Sequence, residues 1–91
     1  MKLGIYEYFK EGHQYEVIAI ALDTVHKAPR NEDGTEPEKH IETVVYRALY
    51  EIDDLPQFGK YPYFTRTMES FTQKVEYQGR MVPKFTYVGP A

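Results

Sequence analysis

Residues 42–50 decide the fold of this chain, and they read Glu42-Thr43-Val44-Val45-Tyr46-Arg47-Ala48-Leu49-Tyr50. Branched and aromatic side chains dominate the stretch, and such side chains pack well on the pleated surface of a β-strand. Because successive side chains of a strand point to opposite faces, Val44, Tyr46, Ala48 and Tyr50 share one face and Val45, Arg47 and Leu49 share the other. Both faces are apolar apart from one arginine, which predicts a strand covered on both sides.

Composition extends this prediction to the whole chain. Val, Ile, Tyr, Phe and Thr together number 33 of the 91 residues, whereas Ala and Leu number nine, a balance that favours strands over helices. A chain of this length forms one domain with one modest core. We therefore treat residues 1–91 as a single domain.

Strands are also expected at residues 3–9, 14–22 and 63–66, and residues 75–88 form a hairpin. In the second strand, Val17 and Ala19 fall on one face and Ile18 and Ile20 on the other. Gly12 and Gly79 suit the left-handed backbone of tight turns, and Thr67 caps one helical turn that ends at Phe71.

These elements predict a mainly β fold. The architecture we expect is a small SH3-like barrel of about five or six short antiparallel strands with one short helical turn. An open sheet with one helix is the competing architecture. Residues 23–40 are polar and rich in turn formers, which predicts a surface loop whose most mobile part runs from Lys27 to Lys39.

The chain resembles DUF1653, a family of small bacterial proteins of unknown function. The matching positions cover nearly the whole chain: Gly4, Tyr6, Phe9, Lys10, Tyr15, Glu16, Val17, Glu42, the run from Val44 to Tyr50, Arg66, Phe71, Gly79 and Phe85. The resemblance implies an SH3-like barrel and little about chemistry. The chain departs from the family pattern at Tyr8 and Asp23, where the family usually has histidines, and at Phe64, where it has tryptophan. The inserted loop could instead move the role of the second histidine to His26 or His40.

Several function classes lack the residues they need. There is no cysteine, no glycine-rich phosphate loop and a single serine, Ser70, so no nucleophilic constellation is recognisable. His13, His26 and His40 are the only imidazoles and have no metal-ligand spacing, so we predict neither a metal nor a cofactor. We do not expect catalysis, although distant residues could assemble a site.

Charge and hydropathy narrow the choice of partners. The net charge is −3, with −6 on residues 1–59 and +3 on residues 60–91. This split gives nucleic-acid binding only weak support. The sequence has neither a membrane-spanning apolar run nor a signal-peptide stretch, so we expect a cytosolic protein that binds no membrane.

Five residues are the candidate ligand-binding set: Tyr8, Arg47, Tyr63, Phe64 and Arg66. Exposed aromatic side chains near a loop often contact partners, and a guanidinium binds carboxylate or phosphate through two parallel hydrogen bonds. Arg47 and Arg66 would then clamp one anion.

A structural alternative exists for Arg47, because an unpaired buried charge is costly. Its acceptor would then be Glu16, Glu42 or Glu69, and the arginine would only hold the barrel together.

The sequence therefore favours a non-catalytic binding module for a peptide, a nucleotide or a polar small molecule. The alternatives are a small enzyme or enzyme subunit acting on a nucleotide-like or acidic substrate, and a structural dimerisation domain built on the second apolar face of the central strands. Monomer and homodimer both remain open.

Overall fold

A computed structural model describes residues 1–24, 30–35 and 41–91. The elements in chain order are β1 (Gly4–Tyr8), β2 (Gln14–Leu22), β3 (Glu42–Ala48), a 3-10 turn (Pro56–Phe58), β4 (Tyr63–Thr67), α1 (Met68–Thr72), β5 (Lys74–Tyr77), β6 (Arg80–Pro83) and β7 (Phe85–Gly89). The mainly β prediction is confirmed. The predicted loop at 23–40, with His26 and His40 in it, lies largely outside the described residues.

The strands form two antiparallel sheets. The larger sheet has the order β4-β3-β2-β1-β7, and β5 pairs with β6 in a separate hairpin. Within the described ranges there are thus seven strands rather than five or six, and they do not close into a barrel. The reason is that β5 and β6 pair with each other instead of joining β4 to β7, which leaves those two strands as edges.

A β-bulge in β2 changes which of its residues face the core. Val17 lies opposite Tyr46, but the register shifts directly after it, so that Ile20 lies opposite Val44. Residues directly opposite each other share a face, and Tyr46 and Val44 are both buried. The prediction that Val17 and Ile20 lie on opposite faces is therefore wrong, because the bulge inserts Ile18 and shifts the two-residue alternation.

The core lies on one side of the large sheet. Its buried side chains come from four strands and the helix: Tyr6, Val17, Val44, Tyr46, Phe71 and Phe85. The rings of Phe71 and Phe85 stack with centroids 4.1 Å apart at an angle of 3°. Burial of these aromatic rings is the main source of stability in so small a domain.

The capped helical turn and the two glycine turns are confirmed. The Thr67 hydroxyl accepts a hydrogen bond of 3.1 Å from the backbone N–H of Ser70, which starts α1. Gly12 and Gly79 have φ angles of 70° and 78°, in the region that glycine adopts without strain. As a result α1 carries Phe71 into the core directly after β4.

Candidate functional site

A cleft of about 490 Å³ lies between the core-facing side of the sheet and the loop at residues 49–62, which connects β3 to β4. The loop is tied to the sheet by a hydrogen bond of 3.0 Å from the Leu49 N–H to the Gln14 carbonyl. Ten residues line the cleft: Tyr15, Tyr46, Tyr50, Glu51, Ile52, Asp53, Asp54, Leu55, Phe64 and Arg66.

Aromatic rings form the sheet side of the cleft. Tyr46 and Phe64 are cross-strand partners with ring centroids 5.6 Å apart. The hydroxyls of Tyr15 and Tyr50 are hydrogen-bonded at 2.9 Å. Burial, and then the hydrogen bond with Tyr50, raises the pKa of Tyr15 well above the ordinary value of 10.0, so this phenol is neutral at physiological pH.

Arg66 is the cation of the cleft, and its neighbours fix its position. Its Nε donates a hydrogen bond of 3.3 Å to the Tyr46 hydroxyl, and one Nη donates a hydrogen bond of 3.1 Å to the Ser70 hydroxyl. Its Cζ lies 5.5 Å from the centroid of the Phe85 ring, within cation–π range. The guanidinium is thus held by two hydroxyls and one ring.

Arg66 has no carboxylate counter-ion in the part of the chain that the structure describes. No acidic oxygen there lies within 4.0 Å of its nitrogens. A guanidinium has five N–H donors, and the bonds to Tyr46 and Ser70 use two of them, which leaves three. These donors are available to an anion in the cleft.

Charge is distributed unevenly around the cleft. Arg66 lies on the sheet side, and the loop side carries the exposed residues Glu51, Asp53 and Asp54. The lining therefore has one cation on its sheet side and three carboxylates on its loop side. Outside the lining, desolvation, and then the positive charge of Arg66, lowers the pKa of Lys84.

The structure brings together only two of the five candidate residues, Phe64 and Arg66. Arg47 and Tyr63 are cross-strand partners on the other face of the sheet, where the Arg47 Cζ lies 5.9 Å from the Tyr63 ring centroid. Tyr8 lines a separate cleft of about 390 Å³. The five residues do not form a single surface.

Arg47 does not form the ion pair that the sequence allowed. No carboxylate of the described residues, including Glu16, Glu42 and Glu69, lies within 4.0 Å of its nitrogens. Its Nε is buried without a hydrogen-bond partner. Because Arg47 and Arg66 point to opposite faces of the sheet, they do not clamp one anion.

Sequence reasoning missed three tyrosines and one serine of the site. Tyr15, Tyr46, Tyr50 and Ser70 are all absent from the five candidate residues. Strand alternation does place Tyr46 and Tyr50 on one face of β3. Their approach to Arg66 depends on the pairing of β3 with β4 and on the loop between them, and neither has a local signal.

The His13 ring packs against Tyr50 with centroids 3.9 Å apart, and residues 1–24, 30–35 and 41–91 contain no cluster of three side chains able to hold a metal. Over the same ranges, no helix has the length and apolar character needed to cross a membrane.

Comparison with known proteins gives one match. Residues 32–87 match the DUF1653 family, described as a protein of unknown function. This span includes β3, the loop at 49–62, Phe64 and Arg66, and it begins after Tyr15. No curated protein and no solved structure matches the chain.

Proposed function

This chain belongs to the DUF1653 family, and we propose that it is a non-catalytic binding module whose cleft holds a ligand by its carboxylate. Arg66 binds the carboxylate, and the aromatic rings of Tyr50 and Phe64 contact the apolar body of the ligand.

The observation that carries the proposal is the position of Arg66 without a counter-ion. A half-buried guanidinium normally gains an anionic partner, since desolvating a charge costs free energy. Here the hydrogen bonds to Tyr46 and Ser70 orient the group but do not neutralise it. A positioned guanidinium of this kind offers parallel N–H donors that fit a carboxylate.

The size and lining of the cleft suit a small ligand or part of a larger one. Ligand clefts are usually about 300–1,000 Å³ and combine apolar walls with a few polar groups, and this cleft measures about 490 Å³. The acidic side at Glu51, Asp53 and Asp54 disfavours polyanions such as nucleotides. A carboxylate with a single negative charge at Arg66 avoids most of that repulsion.

The cleft favours binding over catalysis. No imidazole of the described residues lines it, and the raised pKa of Tyr15 makes this phenol a poor proton donor near neutral pH. The three carboxylates on its loop side are exposed to solvent and have no positioned partner that would make one of them a general base. These features support a binding module rather than an enzyme.

The test measures binding of N-acetyl-phenylalanine and of its amide, which differ only in the carboxylate. We expect the acid to bind at least tenfold more tightly by calorimetry, and Arg66→Met to remove the difference. The matched control is Arg47→Met, which deletes an arginine on the other face of the sheet and leaves the preference intact. Equal affinity for acid and amide, or a preference that survives in Arg66→Met, contradicts the proposal.

A further inference from the structure

β4 is an edge strand with one open side. Among the strands that the structure describes, it pairs only with β3. The Ala48 N–H donates to the Pro62 carbonyl at 3.1 Å, which marks this pair as hydrogen-bonded. In an antiparallel ladder every second pair is of that kind, so the backbone groups of Phe64 and Arg66 point to β3 and those of Tyr63 and Thr65 point away.

The outward backbone groups have no partner in the described ranges. No hydrogen bond to another segment involves the N–H or C=O of Tyr63 or Thr65. Both residues are exposed, Tyr63 to 61%. An exposed edge with free N–H and C=O groups is a template for a further strand.

We propose that the ligand of the cleft is an extended peptide that adds to β4 as an antiparallel strand. The proposal deepens the function proposed above and rests on it, since the carboxylate that Arg66 binds becomes an acidic side chain of this peptide. The peptide residue opposite Thr65 exchanges two backbone hydrogen bonds with it. The peptide residues on either side lie opposite Arg66 and Phe64.

The register of the peptide against β4 determines which peptide residues face the cleft. Phe64 and Arg66 face the cleft, so the peptide residues opposite them also point their side chains there. Such non-hydrogen-bonded pairs have Cα atoms only ~4.5 Å apart, which brings an acidic side chain next to the guanidinium. An antiparallel peptide passes Arg66 before Phe64, so its motif is an acidic residue, any residue, then an aromatic residue.

The charges around the cleft and the geometry of the two edge strands both support an extended peptide as the ligand. One acidic side chain pairs with Arg66, whereas a run of acidic residues would meet Asp53 and Asp54. The opposite edge, β7, is a poorer template because its pairing with β1 contains a bulge.

The test uses the full chain and labelled peptides in fluorescence anisotropy. The parent peptide is acetyl-Ser-Glu-Thr-Phe-Ser-amide. We expect its Glu→Gln form to bind at least tenfold more weakly. N-methylation of the threonine removes the N–H that bonds to β4 and weakens binding at least tenfold, whereas N-methylation of the phenylalanine blocks an N–H that points away from β4 and leaves the affinity within about threefold.

Protein variants separate the inference from the proposed function. In Arg66→Met the Glu and Gln peptides bind equally, and in Arg47→Met their ratio is unchanged. If both N-methylated peptides bind like the parent, or the reversed motif Phe-Thr-Glu binds as well, strand addition is wrong while carboxylate binding stands. If Glu and Gln peptides bind equally to the unmodified protein and N-acetyl-phenylalanine shows no preference over its amide, the proposed function itself is wrong.

Discussion

Arg66 and Tyr46 are joined by a hydrogen bond of 3.3 Å from the guanidinium Nε to the phenol oxygen. This bond links the edge strand β4 to a core residue of β3, since only 5% of Tyr46 is exposed. One side chain therefore serves two purposes: its ring packs in the core and its hydroxyl orients the cation of the cleft. The two purposes can be separated by substitution.

Tyr46→Phe keeps the ring and removes the hydroxyl. We expect the free energy of unfolding to fall by about 1 kcal/mol or less, the usual net value of one hydrogen bond. The preference for N-acetyl-phenylalanine over its amide should fall several-fold, because the guanidinium loses one of its two hydroxyl contacts. Urea denaturation and calorimetry measure the two effects, and an unchanged preference would show that the hydroxyl does not position Arg66. Tyr61→Phe, at an exposed tyrosine outside the cleft, is the control.

Arg47→Met tests whether the arginine on the other face stabilises the fold. Its Nε is buried without a hydrogen-bond partner, and replacing such a group by an apolar side chain of similar length relieves a desolvation cost. The cation–π contact with Tyr63 is lost, at a cost of ~0.5–1 kcal/mol. We expect the free energy of unfolding to change by less than about 1 kcal/mol in either direction. A loss of several kcal/mol would reveal an acceptor for Arg47 and contradict this reading.

The sequence predicted the strands well because their signals are local. A run of apolar side chains on both faces predicted β2 at its observed bounds, and Thr67 predicted the start of α1. The bulge after Val17 has no local signal, since it depends on how β2 pairs with β3, and it reversed the face assigned to Ile20. Whether the sheet closes likewise depends on the long-range pairing of its edge strands, β4 and β7, which no local signal specifies.

Part of the candidate site, Phe64 with Arg66, could also be predicted, because strand alternation is a local signal. Phe64 and Arg66 are two residues apart on one strand, so alternation places them together. Arg47 lies opposite Tyr63 in the ladder, whereas Arg66 lies opposite Val44. That register separates the two arginines onto different faces, and a sequence without known strand pairing does not contain it.

Phe71→Ala tests how much the short helix contributes to the core. Phe71 is 1% exposed and its ring stacks on Phe85. Removing a buried phenylalanine ring leaves a cavity, so we expect the free energy of unfolding to fall by ~3–5 kcal/mol. The matched control, Phe58→Ala, removes the same atoms at a position that is 63% exposed, and should cost less than about 1 kcal/mol. Equal losses in chemical denaturation would show that α1 does not anchor the core.

Tyr15 should make the fold less stable in alkali. Burial, followed by the hydrogen bond with Tyr50, raises the pKa of its phenol in the folded state above the ordinary value of 10.0. Below pH 10 the phenol is protonated in both states, so its contribution to stability is complete. As the pH rises above 10 the unfolded chain loses this proton first, and the free energy of unfolding falls until the folded protein ionises too.

In Tyr15→Phe the fall above pH 10 should be shallower, with part of it remaining because burial also raises the pKa of Tyr6. Urea midpoints between pH 8 and 11 measure these slopes, with Tyr61→Phe as the control at an exposed tyrosine. Parallel curves for the parent and Tyr15→Phe would show that the phenol at the base of the cleft is hydrated and not buried.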